Sequence, residues 1–112
     1  MKMREKDYKK LITKSFTRRV RIHEKKNNDY ADQSECLGNF KRVAIVLDNL
    51  NIVPGCTAEK VALIYAILKI DRFSNLRFAG KQALNESISD TIDDLKNYLD
   101  LLEACVVDQD SA

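Results

Sequence analysis

Between residues 4 and 26 apolar side chains return every three or four positions. Tyr8, Leu11, Ile12, Phe16, Val20 and His23 fall on one side of a helix, while Lys and Arg fill the other. The spacing predicts a first helix over about Arg4–Lys26, with His23 a packed residue on the apolar stripe or at its edge. Asn27-Asn28-Asp29 is turn chemistry, so residues 27–32 read as a loop. A second stripe of Leu37, Phe40, Val43, Ala44, Leu47 and Leu50 predicts a helix over about Ser34–Asn51, N-capped by Ser34. Pro54-Gly55 then breaks the chain.

Thr57 is a good N-cap for a third helix, and Glu59 sits in its first turn, where the helix dipole favours an acid. That helix is expected to run to about Phe73. Its stretch Val61–Leu68 is apolar all round, the pattern of a central buried helix. Residues 74–84 form a connector containing Gly80. A fourth helix is expected over about Glu86–Cys105, with Ile88, Ile92, Leu95, Leu99 and Leu102 as its apolar stripe. Asn85 suits its N-cap, and Ser87-x-x-Asp90 fits a capping box. Residues 108–112 are polar and expected to fray.

These elements make a single all-α domain over 1–112, a four-helix bundle. A basic helix occupies 1–26 and the helical core 27–107. Ile45 and Val46 lie off the second stripe, and the third helix is apolar on every side. Both need more cover than four short helices supply, so a homodimer or higher homo-oligomer is expected.

Composition narrows the function classes. Three Gly and one Pro in 112 residues argue against a many-stranded β domain. The longest apolar run has eight residues, Val61–Leu68, against the roughly 18–20 a membrane span requires. No apolar stretch follows the basic start, so neither a membrane span nor a signal peptide is expected. Three cysteines at unrelated spacings and one histidine leave no zinc set, which takes about four ligands. They also weaken a Ser or Cys triad and point to a reducing cytoplasm.

The net charge of +2 hides a split. Residues 1–42 hold 13 Lys/Arg against 6 Asp/Glu, which is +7, and residues 43–112 hold 6 against 11, which is −5. One reading is electrostatic pairing of the first helix with the fourth, within a bundle or across a dimer. The other is an anion site near the basic half. On the fourth helix Glu86, Asp90, Asp93, Asp94 and Asn97 recur at helical spacing. Such a stripe offers carboxylate oxygens to Mg²⁺, or else it is a solvated face opposite the apolar stripe. Asp94 and Tyr98 fall at the boundary of the two faces.

Four short motifs stand in order along the chain. They are Lys26-x-x-Asp29-Tyr30, Asn39-Phe40, Lys69-x-x-Arg72 and Glu86-Ser87-x-x-Asp90-x-x-x-Asp94-x-x-Asn97-Tyr98. In these, residues 25–103 resemble the phage and bacterial nucleotide modification associated domain, type 1, a group similar to the all-α MazG and dUTPase-like nucleotide pyrophosphatases. The resemblance implies a MazG-like bundle and a phage-type protein that handles a nucleotide. Tyr30, Asn39, Lys69, Arg72, Asn97 and Tyr98 would then contact the ligand, and Glu86, Asp90 and Asp94 would hold Mg²⁺.

The chain departs from the pattern at Ala31, where the family often has Gly, and at Leu68, where an acid is common. MazG-type hydrolases also use a second acidic pair on the facing helix. Here the third helix carries only Glu59 and Asp71, at its two ends. Nucleotide binding without hydrolysis is therefore favoured, as in sequestering a nucleotide-derived signal of host defence. The enzyme alternative is a Mg²⁺-dependent nucleoside triphosphate pyrophosphohydrolase. A third reading, nucleic-acid binding through the basic first helix, has no known signature motif behind it.

Overall fold

The computed structural model describes residues 2–30, 35–80 and 87–110; of residues 27–30 the backbone alone is described. It contains four helices: α1 (Glu5–Tyr30), α2 (Gly38–Asn49), α3 (Ala58–Arg77) and α4 (Ile88–Asp110). No strand occurs among the described residues, so the fold is all-α.

Local chemistry sets several of the helix ends. The Thr57 hydroxyl accepts from the backbone N–H of Lys60 at 3.3 Å and caps α3 as expected. Ser87 and Asp90 form the reciprocal capping box of α4: Asp90 N–H donates to Ser87 Oγ at 3.0 Å, and Ser87 N–H donates to Asp90 Oδ2 at 3.3 Å. Past α2, Asn51 turns left-handed at φ 58°. Ile52 N–H then reaches Leu47 O and Asn51 N–H reaches Asp48 O, a Schellman ending. Asp48 also accepts from Gly55 N–H at 2.8 Å, which fixes the turn into α3.

Three helices run past their expected ends. α1 continues through 27–30, where a loop was expected, because no Gly or Pro stops it. α3 continues four residues beyond Phe73, and α4 reaches Asp110, into the expected frayed tail. α2 is shorter than expected. Leu37, which makes no side-chain cap, occupies its N-cap, and Ser34 lies outside the described residues.

α4 packs chiefly against α3 and less against α1, and α2 packs against α3. The core gathers Leu37, Phe40 and Ala44 of α2 with Val61 and Ala62 of α3 and Cys105 of α4. Ala62 and Ala66 are fully buried, so α3 and α4 approach closely.

Two expectations about faces are overturned. The apolar stripe of α1 does not enter the core: Tyr8, Leu11, Ile12, Phe16 and Val20 are 41–58% exposed. α1 meets α4 through its polar side instead, with Ser15 buried there. Nor is α3 enclosed, since Leu63, Ile64, Ile67 and Leu68 all face outward. Ile45 and Val46 are exposed as the sequence implied, at 59% and 52%.

The three cysteines are free thiols: Cys36 exposed, Cys56 half-buried and Cys105 buried. Burial pushes the Cys105 thiol up, and the charges of Asp108 and Glu59 add to this. A thiol with a raised folded pKa adds stability that is complete below the ordinary thiol range and is lost as pH rises through the raised value. Iodoacetamide at neutral pH is expected to label Cys36 within minutes and Cys105 only on unfolding. Mass spectrometry of timed digests reads this, and early labelling of Cys105 would contradict its burial.

Candidate functional site

The antiparallel register of α3 and α4 sets Tyr65 opposite Tyr98 and Lys69 opposite Asp94. The Tyr65 and Tyr98 rings stack, with centroids 5.4 Å apart and planes inclined by 15°. Phe40 of α2 closes the group at 5.8 Å from Tyr65 and 6.4 Å from Tyr98. One helical turn from the tyrosines, Lys69 Nζ lies 3.1 Å from Asp94 Oδ2. Lys26 of α1 reaches the other oxygen of Asp94 at 3.4 Å and lies 5.7 Å from the centre of the Tyr98 ring, within cation–π range. A half-buried carboxylate thus holds two lysines beside a stacked aromatic pair.

Asn97 stands between Asp94 and Tyr98 in sequence and is only 5% exposed.

The structure brings Lys69, Asn97 and Tyr98 together at this seam. Lys69 and Arg72 stand in the interior of α3, which runs to Arg77, so they do not cap its C-terminus. Arg72 is half-buried, its side chain is engaged, and its Nε is buried without a hydrogen bond. Asn39 is half-buried on α2 beside Phe40. Tyr30 is the last residue of α1, and its side chain lies outside the described residues.

Of the three acids expected on Mg²⁺, Glu86 lies outside the described residues. Asp90 is occupied in the capping box, and Asp94 in its pairs with Lys26 and Lys69. Among the described residues no three His, Cys, Asp or Glu side chains converge as a metal site would require.

The acidic stripe is solvated in part only: Asp90 is exposed, whereas Asp93, Asp94 and Asn97 are covered. Asp93 is buried and takes a two-point contact from Arg18, Nε to Oδ2 at 2.9 Å and Nη2 to Oδ1 at 3.3 Å. Asp93 holds the Arg18 guanidinium above its ordinary value, by hydrogen bonding first and charge second. Arg19 pairs with Asp100 at 2.9 Å. Arg19 and Lys96 both donate to Ser15 Oγ, at 2.9 and 3.1 Å. The pairing of a basic first helix with an acidic fourth, one of the two readings of the charge split, is therefore present within one chain.

Sequence reasoning missed Tyr65 and the part played by Lys26. Tyr65 is the only aromatic residue in an otherwise aliphatic run and stands one turn before Lys69, a signal that was available. Lys26 figured only as a motif position. Comparison with protein-family models, curated proteins and solved structures finds no match to this chain. No described helix is long and apolar enough to cross a membrane.

Proposed function

We propose that the protein binds an anionic nucleotide or nucleotide-derived molecule at the α3–α4 seam and holds it intact. The observation that supports this reading is the pair Lys26 and Lys69 gathered by Asp94 beside the stacked Tyr65 and Tyr98 rings, with Asn97 next to them on α4. An amide reads a base or ribose with paired donor and acceptor groups. Tyrosine faces suit a base, while Lys69, Lys26 and Arg72 suit phosphate. Without ligand, Asp94 neutralises the two lysines, and an incoming phosphate competes with it for them. A MazG-like bundle, self-association and a phage role in sequestering a defence signal belong to the same reading.

The test is incubation with a panel of deoxynucleoside triphosphates, cyclic oligonucleotides and ADP-ribose derivatives, with and without Mg²⁺. Heat release and chromatography follow. A ligand depleted from solution and returned unchanged is expected. Lys69→Ala should weaken its retention at least tenfold, about 1.4 kcal/mol of binding free energy. Release as monophosphate and pyrophosphate, only with Mg²⁺ and abolished by Asp90→Ala, would establish the hydrolase alternative instead. No depletion at all would end the nucleotide reading and move attention to nucleic acid and the basic α1.

A further inference from the structure

We propose that the exposed apolar stripe of α1 packs on the outward face of α3 in a second copy of the chain. This deepens the self-association in the reading above and does not depend on the ligand. Among the described residues α1 meets α4 mainly through polar contacts, the hydrogen bond at Ser15 and the ion pairs of Arg18, Arg19 and Lys26. Before Ser15 nothing in α1 is buried. An isolated helix of that length is marginal in water and needs a surface to lie on.

Area argues for a protein partner. The chain exposes 8301 Å². A compact monomer of 12.8 kDa exposes only about 6,300 Å². The radius of gyration is 16.1 Å, against about 13 Å for a compact domain of this length. The excess is on the order of 2,000 Å² per chain, or about 4,000 Å² for a pair, within the roughly 2,000–5,000 Å² that obligate homodimers bury in total.

Length and charge indicate which faces meet. The stripe from Tyr8 to Val20 spans roughly 18 Å of helix. On α3, Leu63, Ile67, Ile70 and the capping residue Phe78 fall on one outward line of roughly 22 Å. α1 carries nine Lys/Arg and four Asp/Glu, a charge of +5, so two α1 helices side by side would repel. α3 carries four Lys/Arg and two Asp/Glu, a charge of +2, so it repels α1 less than a second α1 does. A lipid surface would suit a basic amphipathic α1. It would leave the apolar α3 face uncovered.

Light scattering behind size exclusion tests this on the full chain. The expected mass is twice 12.8 kDa or a larger whole multiple. Ile12→Glu and Ile67→Glu, both at exposed positions, should each give a folded monomer by circular dichroism. A monomeric parent protein overturns the proposal, and co-sedimentation of that monomer with phosphatidylglycerol vesicles would assign the stripe to membrane. An Ile67→Glu variant that stays oligomeric while Ile12→Glu does not also overturns it, in favour of α1 meeting α1. Should either variant misfold, the mass of the parent protein still decides.

Discussion

Phe40→Ala is expected to destabilise the protein by about 3–5 kcal/mol. Phe40 is 5% exposed, and its ring meets both Tyr65 and Tyr98, so it joins α2 to the α3–α4 pair. Truncation removes the transfer free energy of a benzyl group and leaves a cavity between three helices. Small domains are stable by only about 5–15 kcal/mol, so the variant loses a fifth or more of that margin. Urea unfolding should show a lower midpoint at an unchanged slope. The thermal midpoint should fall by more than about 10 °C. A loss below about 1 kcal/mol would mean that the aromatic group is not the centre of the core.

Asn97→Leu should separate binding from stability. Asn97 is 5% exposed, and Arg72 Nε, not the Asn97 amide, is the buried side-chain polar atom without a hydrogen bond among the described residues, so an apolar side chain of similar shape relieves no orphaned group there. A change within about 1 kcal/mol in urea unfolding is expected. Retention of the nucleotide ligand should disappear in the same variant. The pairing of these two effects is informative: a side chain whose loss abolishes retention and spares the fold acts on the ligand. A loss of several kcal/mol in Asn97→Leu would mean that the amide serves the fold and would remove Asn97 from the site.

Local rules made the helix starts legible. Thr57 and the Ser87–Asp90 pair cap their helices through interactions that span three residues, and short-range chemistry needs no tertiary context. The charge split likewise foretold the contact of α1 with α4. Periodicity, however, reports which residues share a face and is silent on what that face meets. For α1 the ion pairs of Arg18, Arg19 and Lys26 direct the polar side inward, and the apolar stripe is left outside. The same limit applied to α3, where an all-round apolar run signalled burial but one side faces solvent. Of the site, Lys69, Asn97 and Tyr98 were identified from the sequence. Their convergence with Tyr65 and Lys26 depended on a helix register and on α1, which only the folded chain supplies. The acidic residues were legible as a stripe, but their engagement by lysines and a capping box was not.

The chain has no tryptophan, so its near-ultraviolet optical activity arises from phenylalanine and tyrosine. Tyr8 is half-exposed on the solvent side of α1, whereas Tyr65 and Tyr98 are stacked at the α3–α4 seam. Stacked rings held at a fixed inclination couple their transitions, and rings that tumble in solvent contribute little. Among the tyrosines whose side chains are described, the seam pair thus dominates the band and makes it a built-in optical gauge of that contact. It allows loosening of the helix pair to be followed without any label, separately from the helix content seen in the far ultraviolet.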